Sequence, residues 1–272
     1  MANYLYNKDR NFNDDVDDQS YHYVVTHNDL ITKASHDLTA RELKIMDFVI
    51  SKIKPDDQNF NIIDTSLYQL GKLFGYKRNG KNYSDLAKAI GTLRKKEVLI
   101  LDEQERTITQ TGWVESAKYH ENGQVEIRLS RDLAPYLLQL KSDYTQYRLF
   151  DTVKLDSKYS IRLYKLMRET NKDKGKTCPT LETTPKELIK MMGAPKSYSF
   201  GQFNQNVLQP AIDEINLKID DMDLDIHKGT RGRKVVHVEV YNRFYPIKTN
   251  SLDENSEHVP LFNWLKDLEG KK

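Results

Sequence analysis

Two rhythms of apolar and polar residues run along this chain, and they divide it into helices and strands. Leu43, Met46, Phe48, Val49, Ile50 and Ile53 fill one broad stripe at three- and four-residue spacing, which predicts a core helix over 40–53. Thr39 and Glu42 at its start form a capping box, and Pro55 stops it. Leu67, Leu70, Leu73 and Phe74 predict a second helix, capped by Thr65 or Ser66 and closed by Gly75. Leu86, Ala89, Ile90 and Leu93 predict a third over 84–96. Two-residue alternation predicts strands over 60–63, 98–101, 107–119 and 124–130, the last two joined by an Asn122-Gly123 turn. A strand at 23–25, a short helix at 28–34 and a helix at 131–140 complete this half. The polar Lys141-Ser142-Asp143 that follows is the expected domain boundary.

The second half repeats the order. A helix is expected over 157–170, a short strand at 180–182, and a helix that Pro185 opens and Gly193 closes. Thr65, Leu70, Lys72 and Phe74-Gly75 match Thr183, Leu188, Lys190 and Met192-Gly193 with every offset preserved. A loop, Pro195 to Ser199, then leads into a helix from Phe200 to about Asn216 whose Phe203, Val207, Ala211, Ile212 and Ile215 form one buried face. In the comparison of halves, Leu86, Ile90 and Leu93 fall against Phe203, Val207 and Pro210. The other face carries Gln202, Gln205, Asn206 and Gln209, amides without charge. A two-stranded ribbon follows, Leu224–Ile226 and Val235–Val240, with a tip from His227 to Lys234 that holds four cations and two glycines.

An amide-faced helix beside a cationic ribbon is the composition of a winged helix that reads DNA. Asn and Gln pair bidentately with adenine, and wing cations meet phosphates. The plainer alternative is an ordinary helix with a solvated face and a basic hairpin. The fold class expected is α+β, two tandem winged-helix domains at 21–141 and 142–247, between an acidic tail (1–20) and a polar tail (248–272). The acidic tail reads as a solvated leader or an interaction arm. The weakly amphipathic Leu261, Phe262, Trp264, Leu265 and Leu268 read as packing on the chain's own body or on a partner. The candidate DNA contacts in the first domain are Lys77, Arg78, Lys81, Lys88, Thr92 and Lys95, mostly cations and so suited to positioning. In the second they are Lys196, Ser197, Tyr198, Gln202, Gln205, Asn206, Lys228, Arg231, Arg233 and Lys234. Sequence choice is expected to reside mainly there.

Charge supports this reading. The net +2 conceals acidic ends, where Lys8 and Arg10 stand against Asp9, Asp14, Asp15, Asp17 and Asp18, so the body between the tails is the basic part. Charged residues make up 30%, and neither a run long enough to span a membrane nor a leader peptide is found, which points to the cytoplasm. The single Cys178 makes no internal disulfide or cysteine zinc site and reads as a packing residue.

Enzyme motifs are missing. No two of the seven histidines stand one residue apart, as a metal-dependent tyrosine nickase requires. Gly71-Lys72 and Gly80-Lys81 lack the rest of a phosphate-binding loop, and no Gly-x-Ser-x-Gly elbow occurs. Asp220, Asp221, Asp223 and Asp225 read as a solvated turn rather than a metal site. No cofactor and no metal are expected.

Over about residues 21–247 the chain resembles the iteron-binding plasmid replication initiators. The resemblance rests on Val24-Val25-Thr26-His27-Asn28-Asp29-Leu30, Leu38 to Lys44 and Leu93-Arg94-Lys95-Lys96. It rests also on Ser157-Lys158-Tyr159-Ser160-Ile161-Arg162-Leu163-Tyr164 and Val207-Leu208-Gln209-Pro210-Ala211 after Phe203. It implies a non-catalytic bacterial protein that binds direct repeats in double-stranded DNA as a monomer in equilibrium with a homodimer. Such proteins melt an adjacent AT-rich region, recruit the host initiator and replicative helicase, and as dimers repress their own promoter. The first domain is then the dimer interface. A transcriptional repressor on the same scaffold, with no replication role, is the alternative. Arg162, in the family-like stretch, has the chemistry to hold either a carboxylate or a phosphate.

Overall fold

The computed structural model describes residues 22–54, 57–102, 105–170 and 178–243. Both expected tails, Pro55 and the Lys172-Asp173-Lys174-Gly175 loop lie outside the described residues. In chain order the first part holds β1 (Tyr23–His27), α1 (Asn28–Thr32), β2 (Ala34–His36), α2 (Ala40–Ile50), β3 (Ile63–Ser66), α3 (Leu67–Leu73) and α4 (Gly80–Leu93). Then come β4 (Glu97–Asp102), β5 (Thr107–Gly112), β6 (Val114–Tyr119), β7 (Gln124–Leu129), a 3-10 turn (Arg131–Leu133), α5 (Ala134–Leu137) and β8 (Tyr144–Arg148). The remainder holds α6 (Leu149–Lys154), α7 (Lys158–Thr170), β9 (Thr180–Thr183), α8 (Pro185–Met191), a long helix α9 (Phe200–Phe203, Asn204–Leu208 and Gln209–Lys218 in succession), β10 (Leu224–Arg231) and β11 (Lys234–Asn242).

Two helix-plus-ribbon units recur with the same topology. In the first, β3-β7-β6 forms an antiparallel sheet beside α3 and α4; in the second, β9-β11-β10 does so beside α8 and α9. The sequence match between the halves therefore marks matching elements. The caps sit one residue later than the matched threonines: Ser66 caps α3 and Thr184 caps α8. Thr65 is instead buried at the end of β3, bonded to Gln69. The first unit carries an addition, the three-stranded sheet β2-β4-β5. Here the strand expected over 107–119 divides, because buried Trp113 takes the chain out of one sheet and into the other.

Other boundaries move for local reasons. The helix expected at 84–96 begins at Gly80, because Asn79 caps it by accepting from the Asn82 amide. The strand expected at 60–63 runs over Ile63–Ser66, paired with β7. The helix expected at 131–140 shrinks to the 3-10 turn and α5, ending short of Gln139, whose φ is 50°. The capping box of α2 is as expected, with Thr39 accepting from the Glu42 amide and Glu42 accepting from Thr39.

The boundary expected at 141 is corrected by strand pairing. β8, beyond it, pairs antiparallel with β1 at the start of the chain, Tyr23 opposite Arg148 and His27 opposite Tyr144. The Asn28 amide donates to the Asp143 carbonyl, and Tyr147 donates to Asp47 of α2. The first body therefore runs through β8. Helix α7 follows, shared by both units. Its Lys165 reaches Asp47 at 2.6 Å on the first side, and its Arg168 holds Asp221 of the second at 2.6 and 2.8 Å. Glu214 of α9 closes the start of α7, accepting from the Asp156 and Ser157 amides and the Ser160 hydroxyl. Unpaired helix amides want an acceptor, and a carboxylate also suits the positive end of the helix.

Arg162 lies buried in the middle of this seam, and its guanidinium meets neutral acceptors. Its guanidinium donates to Nδ1 of His36 at 2.8 Å, to the His36 carbonyl at 2.6 Å and to the Met191 carbonyl at 3.5 Å. Burial, and next the Arg162 charge, keep the His36 imidazole well below its ordinary pKa, so it stays neutral and accepts. A buried cation bonded to one side of the seam and to the end of α8 on the other ties the units together.

Candidate nucleic-acid interface

In the first unit, α4 buries Leu86, Ala89, Ile90 and Leu93 against the core and turns Lys81, Lys88 and the following Lys95 to solvent. Lys77 and Arg78 lie exposed just ahead of it. That loop is ordered: Asn82 donates to the Lys77 carbonyl at 2.7 Å, and the Arg78 guanidinium stands 5.4 Å over the ring of Tyr68. These five cations share one exposed region around the start and outer face of α4. Thr92 is committed differently from them, since its hydroxyl donates to Glu42 at 2.6 Å and to the Ala89 carbonyl. Thr92, itself exposed, thereby fixes α4 to α2.

Glu42 is itself buried and carries Thr39, Thr92 and Lys96 together. Burial alone would raise its pKa, but the hydrogen bonds from Lys96, Thr92 and Thr39 outweigh it and hold the carboxyl below its usual value. Lys96, expected at the end of the helix, is thereby drawn into the interior side.

In the second unit, α9 runs continuously through Phe200–Phe203, a π turn at Asn204–Leu208, and Gln209–Lys218. Phe203, Val207, Ala211, Ile212 and Ile215 are buried, as the apolar spacing predicts. Gln202, Gln205, Asn206 and Gln209 are exposed. Pro210, expected to pack like Leu93, is exposed, and Ala211 takes the buried place. The extra residue of the π turn shifts every later contact by one. Gln202 is also partly committed: Ser199 caps the helix, and the Gln202 oxygen accepts from the Ser199 amide at 2.9 Å and its hydroxyl at 3.0 Å. A bidentate adenine contact needs that oxygen, which leaves Gln205 and Asn206 as the unengaged amides of the expected set. Lys196 and Ser197 are exposed in the approach loop, while Tyr198 is half-buried against the core.

The second wing is longer than expected. β10 and β11 pair all the way to Arg231 opposite Lys234, with a bulge at Gly229/Thr230, so only Gly232 (φ 63°) and Arg233 form the turn. Lys228, Arg231 and Lys234 therefore project from paired strands, not from a loose tip, and all four cations are exposed. The Lys228 ammonium lies 5.9 Å over the Phe200 ring, so the wing and α9 meet at the helix start.

The first wing, β6 and β7, has a different charge. Lys118 and His120 both turn to Glu126, at 3.2 and 2.6 Å, and exposed Glu121 stands beside the Asn122-Gly123 turn. Tyr119 donates from this wing to the Ala87 carbonyl of α4, a tie no local pattern announces. The aspartates at 220–225 are taken up by cations: Asp221 by Arg168, Asp223 and Asp225 by Arg243, and Asp220 by Lys154 at 3.8 Å. Among the described residues no group of three or more His, Cys, Asp or Glu could hold a metal ion, and no helix is long and apolar enough to cross a membrane. Cys178 donates to the Asn242 carbonyl at 3.2 Å.

Comparison with known proteins agrees with this architecture. Residues 23–168 match the family model "Initiator Replication protein, WH1", and residues 184–242 match "Initiator Rep protein, WH2". Among solved structures, the Pi initiator protein in complex with iteron DNA shares the fold with TM-score 0.67 and 17% identity, covering 82% of this chain and 97% of that one. Domains 2 and 3 of RctB align with TM-score 0.43 and 11% identity, over 79% of this chain and 81% of that one. Two winged-helix units of matching topology, the first within the WH1 match and the second, apart from β9, within the WH2 match, place this chain in the family of initiator replication proteins with WH1 and WH2 domains.

Proposed function

We propose that this initiator binds direct repeats at a replication origin, the WH1 unit positioning and the WH2 unit choosing the sequence. The observation that carries the proposal is the pairing, on one shared helix, of a cation-rich reader with an amide-faced reader and its basic wing. In this reading Lys77, Arg78, Lys81, Lys88 and Lys95 meet phosphates of one segment. Gln205 and Asn206 enter the major groove of the next, and Lys228, Arg231, Arg233 and Lys234 close on its backbone. The Pi initiator, of the same fold, is described in complex with iteron DNA. By the same proposal the bound protein melts a neighbouring AT-rich region and brings in the host initiator and helicase. As a homodimer it represses its own promoter.

The test is a footprint of the purified chain on DNA flanking its coding region, over a salt series. Protection of evenly spaced direct repeats, falling steeply with salt, is the expected result. A single inverted repeat over a promoter would replace this reading with that of a transcriptional repressor. Absence of any protection would remove DNA binding itself.

A further inference from the structure

We propose that Pro210 sets the register in which α9 presents its amides, making it a positioning residue for sequence choice. This deepens, and rests on, the reading of α9 as the base-reading helix. In the π turn the Gln209 amide donates to the carbonyl of Asn204, five residues back. Pro210 comes next. It has no amide to offer the Asn206 carbonyl, and in an α turn its ring would collide with that oxygen. A wider turn ahead of the proline relieves the collision, and such single π turns are frequent at functional sites.

Burial records what the wide turn does. Phe203, then Val207 and Leu208, then Ala211 and Ile212 are buried, in steps of four. Gln202, then Gln205 and Asn206, then Gln209 and Pro210 are exposed, in the same steps. In an ordinary helix a step of four overshoots one turn by about 40°, so two steps carry a side chain about 80° around the axis. A side chain so displaced leaves the groove that its predecessor faces. The π turn absorbs the overshoot, holding Gln205, Asn206 and Gln209 in one row while the apolar pairs stay in the core. The amide nitrogen of Gln209 is further held by Asp213 at 2.9 Å, which leaves its oxygen for the row's outer side. Helix α4 supplies the contrast: Leu86, Ala89, Ile90 and Leu93 are buried at ordinary spacing, without proline and without a π turn.

The experiment compares the full chain with its Pro210→Ala variant. Each selects duplexes from a pool with a random core, and each is then titrated with the wild-type-selected duplex and with the unselected pool at one salt concentration. The variant is expected to lose at least tenfold in the ratio of selected to pool affinity and to select a different consensus, with pool affinity within about twofold and an unchanged salt slope. Any loss of folded fraction scales both affinities alike and leaves the ratio untouched. Asn206→Ala is run alongside. If it shifts the consensus while Pro210→Ala keeps both consensus and ratio, the register role is overturned and the base-reading role stands. If neither variant shifts the consensus, α9 does not read bases and both proposals fall.

Discussion

Gly75 and Gly193 occupy the same place in the two units, and replacing each with alanine should separate a backbone cost from a seam cost. Both follow the C-terminal end of their helix in the left-handed region, with φ of 68° and 61°. A Cβ on Gly75 would meet nothing within 4 Å. A Cβ on Gly193 would lie 2.3 Å from Nη1 and 2.7 Å from Cζ of Arg162. Gly75→Ala should therefore cost only the left-handed penalty, about 1–2 kcal/mol. Gly193→Ala bears that and must also push the guanidinium away. The guanidinium is the far end of a long side chain, but it is buried and bonded to His36 and Met191, so it cannot swing without losing a bond. One hydrogen bond from a charged group adds about 1.5–3 kcal/mol. Urea denaturation at pH 7.5 measures both variants in the wild-type background and in an Arg162→Met background. The excess cost of Gly193→Ala should vanish once Arg162 is gone. Equal losses for the two glycines in the wild type, or an excess that survives Arg162→Met, would refute the account of the seam.

Three further outcomes follow from the geometry. Asn206→Ala should relax base choice with little change on random duplex, whereas Lys234→Ala should weaken all duplexes alike and reduce the salt slope by about one; binding titrations on both DNA classes distinguish them. His36 has a depressed pKa when folded, so above its unfolded value of about 6.5 it costs nothing. As the pH falls below that value the unfolded chain gains a proton the folded one refuses, and stability should decline by up to about 1.4 kcal/mol per pH unit, a slope that His36→Gln reduces in urea melts. Glu42, held below its usual pKa, stabilises the fold above about pH 4.3 and loses that contribution as the pH falls through its folded value. Glu42→Gln should thus destabilise by about 1–2 kcal/mol at neutral pH and by less near pH 3, read from the same melts.

The parts of the fold written in neighbouring residues were legible. The Thr39/Glu42 box, the glycines after α3 and α8, the Asn122-Gly123 turn and the buried face of α9 all follow from spacing alone. Contacts between distant segments were not. Nothing local to Lys141-Ser142-Asp143 says that the next strand pairs with β1, and nothing local to Thr92 says that its hydroxyl belongs to Glu42. Two local features had signals of their own. Ser199 followed three residues later by Gln202 is itself a capping-box pattern, and it marks the Gln202 oxygen as engaged. A run of apolar residues spaced strictly by four, Phe203, Val207, Ala211 and Ile215, with a proline inside it, is the trace of an underwound helix rather than an ordinary one. The wing cations were identified, but the length of the ribbon was not, because Lys228-Gly229-Thr230-Arg231 reads as a turn until its partner strand is seen.

Helix α7 makes the molecule a caliper. It has 13 residues, which at about 1.5 Å each give a rod of about 20 Å. Glu214 clamps one end, Asp47 the middle and Asp221 the region near the other. A flexible tether between the two readers would accept binding sites with a variable gap between their contact blocks. A clamped rod measures that gap instead. One inserted base pair shifts the far block by about 3.4 Å along the duplex, more than a hydrogen bond can stretch. Under the proposed reading of DNA by the two units, the spacing inside each site is therefore as much a part of what is recognised as the bases themselves.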